Sequence, residues 1–206
     1  MRTAEAVHES KTKLLDAALH VIRAKGYTAT RVEDICETAG LTKGSFFHHF
    51  ENKEELALEA AEHWQEVTEA VFRSAPYRAL RDPLDRLLGY VDFRKAILRG
   101  ELPEFTCLAG TMIQEVYDTH PSIREACEKT IRGHAATIEA DIALAMRNHG
   151  IIEGAEWSAK SLALYTQAVI QGAFILAKAQ HSPDVASACL DHLRRYLEML
   201  FIRPTT

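Results

Sequence analysis

Apolar residues recur along this chain at helical spacing. Leu14, Leu15, Ala18, Leu19 and Ile22 fall on one face, and Gly26 follows Lys25 as a stop signal. A first helix is therefore predicted over residues 10–25. Thr30-Arg-Val-Glu33 has the spacing of a capping box. It predicts a short helix with Val32, Ile35, Cys36 and Ala39 on its apolar side, ended by Gly40. Thr42 can cap a third helix carrying Phe46, Phe47 and Phe50. Asn52-Lys-Glu-Glu55 repeats the capping spacing and opens a long helix to about Ser74. Further helices are predicted over 81–99, 104–109, 111–148 with a break at Pro121, 156–180 and 184–202. No segment alternates with a period of two, so the expected fold class is all-α.

Two short helices joined by a tight glycine turn, with a third packed across them, form a helix-turn-helix pattern. The predicted organisation is an N-terminal three-helix domain, residues 1–52, on a larger helical domain, residues 53–206. The smaller domain is too short for a large core, so the helix from Lys53 is expected to tie it to the rest.

Charge modifies this picture only locally. The net charge is −5, but residues 1–53 hold 8 Lys/Arg against 7 Asp/Glu and the remainder 16 against 22. A mildly basic N-terminal part on an acidic body fits a local polyanion contact. Cys36, Cys107, Cys127 and Cys189 are widely spaced, which argues against a zinc site and a disulfide framework. The first eleven residues lack an apolar core of the secretory type, and the apolar stretch Leu162–Ala177 falls short of the roughly 20 residues that span a bilayer. A cytoplasmic protein with no membrane partner, no metal and no cofactor is expected. A catalytic reading finds no phosphate loop, no His-Glu-x-x-His and no nucleophile elbow.

The chemistry concentrates in Gly40–Phe50, GLTKGSFFHHF, which sets three phenylalanines beside Lys43, His48 and His49. A recognition helix explains the mixture, because one face packs on partner helices and the other faces DNA. Phe46 and Phe50 share a face and are the expected core anchors. Thr42, Lys43, Gly44 and Ser45 lie in the first turn, where free N–H groups favour phosphate. Lys43 can reach a guanine edge, and Thr42 a phosphate or thymine methyl. Gly44 lets backbone approach closely. His48 and His49 are placed for the sugar-phosphate backbone, and Arg31 and Lys53 for further contacts. The alternative for each cation is plain solvation, and for His49 a capping or packing role.

Residues 26–56 resemble the DNA-binding domain of the tetracycline-repressor (TetR) family. Gly26-Tyr27, Thr30, Asp34-Ile35, Ala39-Gly40-Leu41, Lys43-Gly44, the aromatic pair, His49-Phe50 and Lys53-Glu54-Glu55-Leu56 carry the likeness. Phe47 departs from it: the family usually has a tyrosine there whose hydroxyl touches phosphate, so Phe47 is expected to pack on a sugar or methyl instead.

The resemblance implies a homodimeric repressor of nine or so helices, bound to a double-stranded operator and released by a small effector held in the body. Its dimerising pair corresponds to the last two predicted helices. There Gln171 and Gly172 permit close approach, and Leu190, Leu193 and Leu197 form an apolar seam; the other reading of these residues is core within one chain. Thr106–Gly110 and Phe174–Lys178 resemble a subgroup that includes the N-ethylmaleimide-responsive repressor, which senses electrophiles. In that comparison Cys107 and Lys178 fall on a matching cysteine and lysine. Cys107 then reads either as a small core residue or as a reactive thiol. Tyr90, Phe93, Phe105, Met112, Tyr117 and Tyr165 supply aromatic and flexible surface for the effector, or else ordinary core. The rival to DNA binding is a helical protein-interaction module that uses the aromatic stretch as a partner groove.

Overall fold

The computed structural model describes residues 4–154 and 157–201. Among them are ten α-helices and no strand. They are α1 (Ala4–Lys25), α2 (Val32–Ala39), α3 (Lys43–His49), α4 (Lys53–Arg73), α5 (Pro83–Ala96), α6 (Leu102–Phe105), α7 (Leu108–Val116), α8 (Pro121–Asn148), α9 (Ala159–Gln180) and α10 (Asp184–Phe201). A 3-10 turn covers Pro76–Ala79.

The helices group into two compact units. Unit 1 comprises Met1–Thr68 and Thr106–Thr130; unit 2 comprises Glu69–Phe105 and Ile131–Thr206. Packing therefore draws its line elsewhere than residue 52, and puts α7 and most of α4 with the three N-terminal helices.

Unit 1 closes over Leu14, Ile22, Ile35, Phe46, Phe50 and Leu56, each 1% exposed or less. Phe46 and Phe50 pack with centroids 5.4 Å apart, and each buried ring of this kind contributes about 1.5–3 kcal/mol. Gly40 ends α2 in the left-handed region, φ 64°, its N–H reaching the Cys36 and Glu37 carbonyls. Thr42 caps α3 and accepts the Ser45 N–H at 3.2 Å. The cap of α2 is displaced by one residue from the sequence expectation. Arg31 is the N-cap residue, and its N–H donates to Asp34 Oδ2 at 2.7 Å. Thr30 turns its hydroxyl back onto the Gly26 carbonyl at 2.5 Å. The Lys25 ammonium, 2.6 Å away, holds the Asp34 carboxyl down at about 2, helped by the Arg31 N–H.

The turn between α1 and α2 is gripped from two sides. Lys53, at the start of α4, donates to the carbonyls of Tyr27 and Thr30, both at 3.0 Å, and lies 4.3 Å from the centre of the Tyr27 ring. Glu115, on α7, accepts the N–H groups of Tyr27 at 3.2 Å and Thr28 at 2.8 Å. His120 meets the Tyr27 ring edge-on at 5.4 Å. Gly26 makes this possible twice over: its φ is 88°, and a Cβ there would collide with the Glu115 carboxylate.

In unit 2, α5, α9 and α10 pack around Leu87, Tyr90, Ile170, Leu190, Leu193 and Leu197. Asp82 caps α5 ahead of Pro83, and Ser158 caps α9. Lys95–Asp191 at 2.6 Å and Arg194–Asp92 at 2.8 Å tie α5 to α10. Helix α9 is apolar and long enough to cross a membrane by composition, but Ala163, Ile170, Ala173 and Ala177 are buried, as in a core helix.

Gly26→Ala should destabilise unit 1 by about 1–3 kcal/mol, the cost of holding a non-glycine residue at this φ, with more added if Glu115 is displaced. Urea unfolding followed by tryptophan fluorescence measures this; an unchanged midpoint and slope would remove the turn from the set of constraints.

Candidate nucleic-acid interface

Helix α3 shows two different faces. Phe46 is sealed inside unit 1, while Thr42, Lys43, Gly44, Phe47 and His48 are exposed. Phe47 is 58% exposed and stands edge-on to Phe46 at 5.2 Å. The fold thus leaves this large ring in water, where it is available for contact. Gly44 points the same way. A Cβ added there would meet only Thr42 Oγ1, at an ordinary 3.7 Å, so the fold does not require glycine and the missing side chain leaves space outside it.

The cations differ in their freedom. Lys43 is exposed and ion-paired with Glu33 of α2, and that contact lowers the Glu33 carboxyl. Arg31 extends into solvent with one loose pair to Asp34 at 3.4 Å. His48 is exposed, its ring 4.9 Å from His49. His49 is half-buried and shares a 2.7 Å hydrogen bond with Ser10 of α1, the packing role left open from sequence.

Two expected contacts lie elsewhere. Ser45 is 4% exposed, and its hydroxyl points inward without a partner among the described residues. On a helix a residue two positions from Lys43 is turned by about 200°, so sharing the first turn did not mean sharing its outer face. Lys53 is spent on the α1–α2 turn. Burial lowers its pKa, while Glu115 opposes that shift. Its reach toward α1 was invisible in the local sequence because the acceptors are backbone carbonyls 23–26 residues away.

The residues expected around an effector are divided between the units. In unit 1, Met112 is buried, Tyr117 is 62% exposed at the end of α7, and Cys107 is the N-cap of α7. Cys107 Sγ accepts the Gly110 N–H at 3.3 Å. Cys127 is buried, and its thiol is pushed up to about 12 by burial and then by Cys107. In unit 2, Tyr90 is fully buried and Phe93 adjoins Tyr77 at 5.9 Å. Phe105 packs on Phe174 at 6.1 Å, and Lys178 is half-buried. Tyr165 is instead 45% exposed and stacks on Tyr196 of α10 at 5.2 Å. Tyr117 and Tyr165 therefore belong to the surface, not to an interior pocket. Sequence reasoning passed over Tyr77, Arg94, His134 and Gln167, which surround Tyr90 through contacts no local pattern announces.

The leucines expected at a dimer seam, or else in the core of one chain, take the second place. Leu190, Leu193 and Leu197 are 2% exposed or less within one chain, so they cannot face a second. The opposite side of the same two helices is apolar and open: Leu164, Tyr165, Ile175 and Leu176 on α9, Tyr196 and Met199 on α10. Gln171 and Gly172 are half-buried, and a Cβ on Gly172 would meet nothing.

Comparison with known proteins agrees with this geometry. Residues 14–60 match the profile of bacterial regulatory proteins of the tetR family. Residues 83–192, more than half of the chain, match the C-terminal domain of LmrA/YxaF-like transcriptional regulators. The HTH-type transcriptional regulator LmrA of Bacillus subtilis is 26% identical over 196 residues, 90% of this chain and 96% of that one. CymR of Pseudomonas putida is 30% identical over 138 residues, 66% of this chain and 64% of its own length. The repressor NemR of Escherichia coli is 25% identical over 198 residues, 92% of this chain and 94% of its own. The crystal structure of reduced NemR has the same fold, with a TM-score of 0.78 at 22% identity over 97% of this chain and all of that one. The chain thus belongs to the tetR family of helix-turn-helix DNA-binding transcriptional regulators.

Proposed function

We propose that the protein is a homodimeric cytoplasmic repressor that holds a palindromic operator through α3 and leaves it when a small effector enters the body. The observation that carries the DNA reading is the outer strip of α3, where Thr42, Lys43, Gly44, Phe47 and His48 stand clear of the core. Arg31 adds a cation at the start of α2. Lys43 exchanges Glu33 for a phosphate or a guanine edge, and the exposed pair it leaves is weak in water. Phe47 rests on a sugar or a thymine methyl.

Two copies are needed to place two α3 helices in successive major grooves, about 34–36 Å apart. The open apolar side of α9 and α10 supports the pairing. Leu164, Gly172 and Ile175 recur at helical spacing along α9, with Tyr196 and Met199 beside them on α10. Effector binding and DNA binding then oppose one another by the same factor in each direction. Helix α4 belongs to unit 1 through Thr68 and to unit 2 from Glu69, which makes it the natural carrier of that coupling.

Selection of random duplexes by the purified protein should yield an inverted repeat; a pool without a consensus sinks the reading. Lys43→Ala should weaken operator binding and flatten the dependence of log K on log salt by about 0.9, measured by fluorescence anisotropy at several salt concentrations. Ile175→Glu puts an unpaired charge on each copy of the proposed interface. It should weaken dimerisation by about 100-fold or more while leaving the helical content unchanged. Sedimentation at micromolar concentration decides: a variant that stays dimeric moves the interface off α9.

A further inference from the structure

Unit 2 carries a polar cluster that the DNA-reading surface does not use. Tyr90 is fully buried, and its oxygen accepts from Gln167 Nε2 at 3.0 Å and Arg94 Nε at 3.1 Å. Arg94 donates again, from Nη2 to His134 Nε2 at 2.6 Å. A guanidinium nitrogen only donates, so His134 is neutral and carries its proton on Nδ1. Burial, then Arg94 and Arg78, hold its pKa well below the usual range. The guanidinium lies 4.4 Å from the centre of the Phe72 ring and 5.5 Å from that of Tyr90.

No carboxylate pairs with Arg94 among the described residues. The nearby acids of unit 2 are committed elsewhere. Asp141 takes Arg86 at 2.7 Å and Arg78 at 3.7 Å, Asp92 takes Arg194 at 2.8 Å, and Asp191 takes Lys95 at 2.6 Å. Tyr77 is the second oddity. It is 4% exposed, its ring is 5.9 Å from both Tyr90 and Phe93, and its hydroxyl has no partner among the described residues. Burial pushes that hydroxyl up to about 12, so it remains a donor. Half-buried cations without anions and buried hydroxyls without acceptors are both costly. Here the two adjoin the same Tyr90 ring, and a single acceptor of negative charge would satisfy both.

We infer that unit 2 binds a small apolar monocarboxylate, whose carboxylate accepts from the Arg94 fork and the Tyr77 hydroxyl and whose body runs outward past the half-buried Phe93 ring. One unpaired guanidinium matches one negative charge, and planar bidentate geometry favours a carboxylate. The inference rests on the reading of the chain as an effector-responsive regulator and gives that effector a chemical class.

The test is a thermal-shift and calorimetric screen with benzoate, phenylacetate, cinnamate and octanoate, each paired with its primary amide. At least one acid should raise Tm and bind, and its amide should not. Arg94→Gln should weaken that acid by about 10- to 100-fold. Tyr77→Phe, which removes a hydroxyl the folded chain leaves unpaired, should keep or raise the ligand-free Tm and weaken the acid by about 3- to 10-fold. Tyr77→Phe thus still reports if Arg94→Gln fails to fold. The inference is overturned if no acid binds, if amides bind equally, or if the folded variants bind the acid like the parent. An acid that binds through Arg94 and Tyr77 yet leaves operator affinity unchanged upholds the site and defeats the effector role instead.

Discussion

The α1–α2 turn at Gly26–Thr28 is the constraint on which unit 1 depends. Three helices that are distant in sequence meet there: α1 runs into it, Lys53 of α4 holds its carbonyls, and Glu115 of α7 holds its N–H groups. A three-helix unit of about fifty residues buries too little surface to be firmly stable alone. The turn recruits additional helices by saturating backbone groups that would otherwise compete for water. It does so with a cation on the carbonyl side and an anion on the amide side, each matched to the polarity of the groups it meets. The turn between α1 and α2 is therefore tied to α7 as well as to α4. That explains why compactness places Thr106–Thr130 with the N-terminal helices.

This arrangement gives α7 a position of consequence. Its N-cap is Cys107, and eight residues on, its last turn holds Glu115. The helix is only nine residues long, so the Cys107 cap and the carboxylate that holds Tyr27 and Thr28 lie about two turns apart.

Punctuation was legible in the sequence because it is local. Gly26 and Gly40 end helices where the backbone turns left-handed, Thr42 and Asn52 cap the helices that follow, and Pro83 and Pro121 begin theirs. The anchors Phe46 and Phe50 followed from spacing alone. What could not be read was the competition for each polar group. Thr30 had the right spacing for a cap, but its hydroxyl donates to the Gly26 carbonyl, Arg31 is the N-cap residue, and Asp34 took over from Glu33 one residue later. Leu190, Leu193 and Leu197 form a true apolar seam, yet periodicity cannot say whether the same chain or another covers it; here α9 and α5 do. The cluster around Tyr90 has no local signature, since its members come from α5, α8 and α9 and the turn before α5.

Lys43 and Lys53 show why identity and proximity in sequence do not decide function. Both stand at the first position of a helix, and both begin a segment of the family's motif. Lys53 is partly stripped of water and has several carbonyls and a ring around its ammonium. Exchanging those partners for a phosphate would reopen the turn, so its charge is committed to the fold. Lys43 has a single carboxylate partner in open solvent, an interaction that water and salt already weaken. A phosphate can displace Glu33 without disturbing any buried group. Lys43 can therefore exchange its partner at little structural cost, while the same residue type ten positions later holds together the unit that presents it.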